Sequence, residues 1–220
     1  RLLPRQLDEE GAQLLQDFVE SLGINVEVGV YVDEILGDTH VTGVRLKDGR
    51  EFPAQLVLVS AGVRCNTCFA DEAGLEIDRG IVVDGHMATN VPGVYAAGDV
   101  AVYKGYNWAI APIAQAQARV AAANMAGEDM VYEAVVPSTS LKVVGLDVTS
   151  VGVVNPEREG TIQVRNLDEE AGTYKKVVLQ EDVIVGTIIV GEDKDLAKRL
   201  ESMITERAKM TRQEAQILLS

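Results

Sequence analysis

The sequence has 220 residues, of which 47% are apolar, and this is enough for one large or two small domains. Its formal net charge of −14, without a basic cluster, argues against nucleic acid or an anionic membrane as a partner. The sequence shows neither a run of about 18 apolar residues nor the layout of a signal peptide, so we expect a cytoplasmic protein.

The first part of the chain predicts the order helix, strand, hairpin, strand. Asp8 is a candidate N-cap for a helix whose apolar residues recur at helical spacing. Residues 24–32 alternate as a strand, and Asp48-Gly49 predicts the turn of a hairpin. The apolar run 56–60, which ends at Ala61-Gly62, predicts a strand that is buried on both faces.

This first part does not make a complete fold. A parallel sheet needs an earlier strand from which the chain enters the first helix, and no strand precedes Arg1. We favour an incomplete parallel domain. The alternative is that the first helix packs elsewhere, in a small α+β domain.

The middle of the chain contains the most informative pattern. It predicts strands over 81–83 and 93–99, followed by a helix that begins at Pro112 and is rich in alanine. Asp99 would then lie at the carboxyl edge of a sheet, where open α/β folds bind ligands. Gly98 allows a close backbone approach, Asp99 can accept hydrogen bonds from a polyol, and the positive end of the helix faces the same crevice.

After Pro137 the sequence predicts an α+β module. Alternating apolar residues predict strands over 141–154, 161–167, 174–180 and 183–190. An amphipathic helix over 193–207 follows, and then a short helix from Thr211 to Leu219, where Thr211 and Glu214 form a capping box.

Residues 89–101, TNVPGVYAAGDVA, resemble the second flavin-binding motif of the pyridine nucleotide-disulfide oxidoreductase superfamily. Other stretches fall in that family's order: LLPRQLDEEGA near the start, LVSAGVRCNT at 58–67 and WAIAPIAQAQARVAAANMAG after the motif. LKVVGLDVTSVG at 141–152 is most similar to the branch that contains rubredoxin reductases and nitrite reductase large subunits.

The resemblance covers essentially the whole chain and implies its fold class, α/β plus α+β. An incomplete, doubly wound FAD/NAD(P)-binding domain would be followed by a small C-terminal α+β domain. Residues 1–62 would be the rear part of the NAD(P)-binding domain, 63–136 the rear part of the FAD-binding domain, and 137–220 the C-terminal domain.

The resemblance also implies roles for individual residues. Asp99 would hold the ribityl chain of FAD, with Gly98 allowing the approach, and the backbone near Ala111 and Pro112 would face the pyrimidine end of the isoalloxazine. Ala61 and Gly62 would lie close to bound NAD(P)H. For Trp108, which precedes the helix, stacking on the flavin and ordinary packing are both open.

The sequence departs from the family in its glycine loops and its cysteines. No G-x-G-x-x-G loop occurs in the 220 residues, so we expect this chain to hold either nucleotide poorly and to be inactive by itself. Cys65 and Cys68 form a C-x-x-C where the family usually has a proline and a variable residue. We favour a structural or incidental thiol pair, and redox or metal use is the alternative.

The resemblance implies an FAD-dependent NAD(P)H oxidoreductase that passes a hydride to flavin and electrons to a redox protein or another acceptor. No histidine follows His86, so we name no catalytic acid–base residue and no metal site. An enzyme similar to NADH oxidase or CoA-disulfide reductase, or a non-catalytic interaction module, is the alternative. Exposed sheet edges would also allow a homodimer.

Overall fold

The computed structural model describes residues 1–220, and the chain divides into two compact units. The first unit consists of Arg1–Val59 together with Ser138–Ser220, and the second of Ser60–Pro137. The predicted three-part division at residues 62 and 136 stays a prediction. None of the helices combines the length and apolar character that crossing a bilayer requires.

The helices are α1 Glu9–Ser21, α2 Cys68–Glu72, α3 Ala111–Met125, α4 Lys194–Thr205 and α5 Arg212–Leu219. The strands are β1 Val32–Gly37, β2 Val41–Leu46, β3 Glu51–Pro53, β4 Ile81–Val83, β5 Ala101–Tyr103, β6 Ser138–Val143, β7 Leu146–Gly152, β8 Thr161–Asp168, β9 Thr173–Gln180 and β10 Val183–Val190.

The first unit is built on a five-stranded antiparallel sheet with the order β6-β7-β10-β9-β8. The predicted run 141–154 divides into β6 and β7, because Val144 and Gly145 both have positive φ and form the turn between them. The last two helices are confirmed. Asp193 caps α4, and the Thr211–Glu214 capping box of α5 is complete.

Helix α1 packs on this C-terminal sheet. Asp8 caps it as predicted, since its side chain accepts from the amide of Gly11 at 3.1 Å. Its buried face belongs to one apolar cluster with strands of the sheet; the cluster contains Leu7, Ala12, Leu15, Val19, Val148, Val154, Tyr174, Ile188 and Val190. The structure therefore shows the alternative in which the first helix packs within an α+β unit.

A buried polar network joins the start of α1 to β9. The ammonium of Lys176, whose side chain is 1% exposed, donates to Asp8 Oδ2 at 2.8 Å and to the carbonyl of Val154 at 2.8 Å. The hydroxyl of Tyr174 donates to the same Asp8 oxygen at 2.7 Å. Burial raises the pKa of Asp8, but the hydrogen bonds from Lys176, Tyr174 and Gly11 outweigh it and hold the pKa below its ordinary value.

The predicted hairpin near the start of the chain is confirmed, with Gly49 in the left-handed region at φ 89°. The predicted strand over 24–32 is wrong, because residues 24–31 form no strand; β1 begins at Val32 and pairs with β2.

The prediction of a buried strand over 56–60 is wrong. These residues pair with no strand, and the side chain of Leu58 is 88% exposed. An apolar run becomes a buried strand only where neighbouring strands cover its edges, and none in the chain does so.

In the second unit, β4 and β5 pair in parallel and pack in a small core with α3. The predicted strand over 81–83 is confirmed, but that over 93–99 is wrong. Gly93 and Gly98 both have positive φ and interrupt the extended run, so the strand forms later, as β5. Helix α3 is confirmed, with Pro112 in its first turn.

Replacing Asp8 with alanine should lower the free energy of unfolding by about 3 kcal/mol, because the ammonium of Lys176 would stay buried without its partner. Urea denaturation followed by circular dichroism measures this change. Asp38→Ala removes the same charge from an exposed position and should cost less than about 0.5 kcal/mol. Equal losses in the two variants would contradict a stabilising role for the network.

The network also predicts a dependence on pH. Because the pKa of folded Asp8 lies below the ordinary value of 3.8, its contribution to stability is fully present above pH 3.8. The contribution is lost as the pH falls through the folded pKa. The difference in unfolding free energy between the wild type and Asp8→Ala should therefore shrink on acidification below pH 3.8. A difference that grows below this pH would show that folding raises the pKa of Asp8 instead of lowering it.

Candidate functional site

Asp99 lies in a tight turn that leads into β5. Residues Gly98–Val100 form one turn of 3₁₀-helix, which we call the Asp99 turn. Gly98 enters it at φ 81°, in the left-handed region that glycine adopts without strain. The side chain of Asp99 is exposed, so its carboxylate can accept hydrogen bonds from a ligand.

Helix α3 holds the Asp99 turn from one side. The amide of Gly98 donates to Gln117 Oε1 at 2.8 Å, and Gln117 is only 4% exposed. A Cβ atom at Gly98 would lie 3.5 Å from the Cβ of Ala114, so a larger side chain there would contact the helix. The structure thus brings Gly98 and Asp99 together with α3, the helix that begins with Ala111 and Pro112.

The amino end of α3 has no cap of its own. Ile110 stands at the N-cap and has no side-chain acceptor, and the first turn contains no acidic residue. Ala111 and Pro112 are both exposed. A helix end of this kind favours an acceptor or a developing negative charge supplied by a ligand. An exposed carboxylate and an uncapped helix end fit the ribityl hydroxyls and the pyrimidine ring of a flavin.

Two polar side chains hold the Asp99 turn from another direction. Asn107 Nδ2 donates to the carbonyl of Asp99 at 2.6 Å, and Cys65 Sγ donates to the same carbonyl at 3.0 Å. Neither contact was predicted, because 34 residues separate Cys65 from Asp99 and no local pattern marks their proximity. Cys65 and Cys68 are free thiols, and Cys68 is the exposed first residue of α2.

Trp108 belongs to an aromatic group next to α3. It is 40% exposed and stacks on Tyr106, with ring centroids 5.8 Å apart and planes at 10°. A cavity of about 260 Å³ is lined by Tyr103, Lys104, Tyr106, Trp108, Gln117, Tyr132, Ala134, Val135 and Pro137. Gln117 therefore contacts the Asp99 turn and also lines this aromatic cavity.

Ala61 and Gly62 lie apart from this arrangement. Both are exposed in a segment without helix or strand, and Gly62 has φ 81°. No hydrogen bond of the chain links them to the Asp99 turn. Their assignment to a nicotinamide site stays a prediction.

Comparison with known proteins places the chain in a family. Residues 1–118 match the family described as pyridine nucleotide-disulphide oxidoreductase. The chain belongs to this family. Residues 137–208 match the C-terminal domain of rubredoxin NAD+ reductase, so the resemblance read from the sequence is confirmed.

Members of the family and related structures match almost the whole chain. The nitrite reductase [NAD(P)H] of Bacillus subtilis is 39% identical over 94% of this chain and 26% of that protein. The NADH-rubredoxin oxidoreductase of Clostridium acetobutylicum is 31% identical over 92% of this chain and 49% of that protein. The chain thus spans between about a quarter and a half of the curated relatives it matches.

A solved structure confirms the predicted fold class. The ferredoxin reductase of Rhodopseudomonas palustris matches 100% of this chain and 55% of its own, with a TM-score of 0.81 and 25% identity. The Asp99 turn and α3 therefore lie in a fold that this ferredoxin reductase shares.

Replacing Gln117 with leucine should destabilise the Asp99 turn, because the amide of Gly98 would lose its acceptor. An unsatisfied buried amide costs about 1–2 kcal/mol. Hydrogen–deuterium exchange of the Gly98 amide should accelerate accordingly. Gln115→Leu is the matched control, since Gln115 is exposed on the same helix. Equal exchange rates in the wild type and Gln117→Leu would rule out the anchoring role.

Proposed function

We propose that this chain contributes the flavin-facing residues of an FAD-dependent NAD(P)H oxidoreductase. The observation that carries the proposal is the packing of the Asp99 turn against α3 through Gln117, which presents an exposed carboxylate beside a helix whose amino end lacks a cap. Membership of the pyridine nucleotide-disulphide oxidoreductase family supports the same conclusion.

Each part of the site would have its own role. The carboxylate of Asp99 would accept hydrogen bonds from ribityl hydroxyls and so orient the sugar chain. The amides at Ala111 and beyond, at the positive end of α3, would stabilise negative charge on the pyrimidine ring. When bound, FAD supplies the transfer of electrons from NAD(P)H to an acceptor. The residues of this chain bind and orient it, and none of them is assigned a proton transfer.

The acceptor that we infer is a small electron-carrier protein or a redox centre. This rests on the names of relatives, which include a nitrite reductase, an NADH-rubredoxin oxidoreductase and a ferredoxin reductase. Ala61 and Gly62 would lie near the nicotinamide, as the resemblance implies.

The flavin ring and ribityl chain are the part of FAD that these residues address. The 220 residues contain no G-x-G-x-x-G loop, and such loops are what bring backbone amides to a pyrophosphate. Riboflavin, which lacks the pyrophosphate and the adenosine, is therefore a direct probe of the Asp99 turn and α3.

Titration of the chain with riboflavin and with FAD, followed by quenching of flavin fluorescence, should give similar dissociation constants. Asp99→Ala should weaken both about tenfold, the cost of losing hydrogen bonds to a charged group. Glu128→Ala is the matched control, because Glu128 is an exposed acid beyond the carboxyl end of α3. It should leave both constants unchanged.

Two results would count against the proposal. Absence of any flavin quenching by the folded wild-type chain would show that these residues do not hold a flavin. Binding that is equally strong in the wild type and Asp99→Ala would place the flavin elsewhere.

A further inference from the structure

The Asp99 turn is also held by the amide side chain of Asn107. Asn107 Nδ2 donates to the carbonyl of Asp99 at 2.6 Å and to the carbonyl of Ala101 at 3.1 Å. These two carbonyls lie on either side of Val100, so the amide spans the end of the turn and the start of β5. Asn107 thereby fixes the direction of the peptide group that follows Asp99.

Cys65 reinforces the same carbonyl. Its Sγ donates to the oxygen of Asp99 at 3.0 Å, and Asn107 Nδ2 lies 3.6 Å from the sulfur. The sulfur lies over Gly80, where a Cβ atom would be only 3.3 Å from it. The carbonyl of Asp99 thus receives two donors, which matches its two lone pairs.

A tight turn brings Asn107 to this position. Tyr103 and Tyr106 exchange both backbone hydrogen bonds, at 3.1 and 3.0 Å, and Lys104 and Gly105 between them both have positive φ. This is the geometry of a two-residue hairpin turn, which reverses the chain directly after β5. Asn107 therefore lies back alongside β5, next to the carbonyls of Ala101 and Asp99.

We propose that Asn107 and Cys65 are positioning residues for the carboxylate of Asp99. Covalent modification of the Cys65 thiol would remove its hydrogen bond to the carbonyl of Asp99 and so release the Asp99 turn. The inference rests on the proposed function, because the ligand that Asp99 would hold is a flavin. The contacts that carry it lie entirely within the second unit.

The physical reason is that the peptide group and the side chain of Asp99 share one Cα. When the carbonyl of Asp99 is held by two donors, the peptide group keeps its orientation, and so does the Cα–Cβ bond from which the carboxylate extends. The thiol can act in this way only while it carries its proton. A modified sulfur has no proton to donate, and its lone pairs would face the carbonyl oxygen at close range.

The first test needs no flavin. Hydrogen–deuterium exchange at the amides of residues 98–103 should accelerate about tenfold in Asn107→Ala and measurably in Cys65→Ala. Cys65→Ser keeps a donor and should restore slow exchange. Cys68→Ala is the matched control, because Cys68 is exposed and makes no hydrogen bond to the Asp99 turn.

The second test separates positioning from general stabilisation. Asn107→Ala should weaken riboflavin binding several-fold in the wild-type background but have no further effect in Asp99→Ala, because it acts through Asp99. A merely structural role would weaken binding equally in both backgrounds.

The third test addresses the thiol. In the Cys68→Ser variant, iodoacetamide can react only at Cys65: the sulfur forms a bond to carbon, the carbon–iodine bond breaks, iodide leaves and the thiol proton passes to solvent. The alkylated protein should show the fast exchange of Cys65→Ala and the same loss of riboflavin affinity.

The outcomes distinguish this inference from the function on which it rests. Unchanged amide exchange in Asn107→Ala and Cys65→Ala overturns the positioning role, even if riboflavin binds. Failure of the wild-type chain to bind riboflavin overturns the proposed function, even if exchange accelerates. Full riboflavin affinity after alkylation of Cys65 overturns the claim about the thiol.

Discussion

The hydrogen bond from the amide of Gly98 to the buried side chain of Gln117 is the interaction on which the candidate site depends. It ties the Asp99 turn, with its exposed carboxylate, to the first half of α3, the helix whose amino end has no side-chain cap. Glycine is favoured at position 98 because a φ of 81° is costly for β-branched and bulky residues. Position 98 thus needs a residue that adopts positive φ, and its amide needs the acceptor that Gln117 provides.

The two units solve the problem of buried polarity differently. In the first unit, the capping carboxylate of Asp8 accepts hydrogen bonds from Lys176 and Tyr174, so the network ties α1 to β9. In the second unit, the side-chain amides of Gln117 and Asn107 form hydrogen bonds with backbone groups of the Asp99 turn. The carboxylate of Asp99 takes no part in these bonds.

Local signals predicted the helices well, because caps and apolar periodicity act within a few residues: the Asp8 cap and the Thr211–Glu214 box both appear as expected. The strands over 56–60 and 93–99 were wrong for different reasons. The first needs partner strands that the chain does not supply, and the second contains glycines that reverse the backbone. Gly98 and Asp99 could be found from their motif, whereas Cys65 and Asn107 could not, since only the folded chain brings them to one carbonyl.

Trp108 is the single tryptophan of the chain, and it stacks on Tyr106 beside the aromatic cavity. Fluorescence excited at the red edge of the protein absorption therefore comes from Trp108, in the second unit. The chain carries a built-in optical reporter there, whereas the first unit has no tryptophan. Spectral shifts of this emission would follow events near α3 without any label, whereas circular dichroism would report the unfolding of both units together.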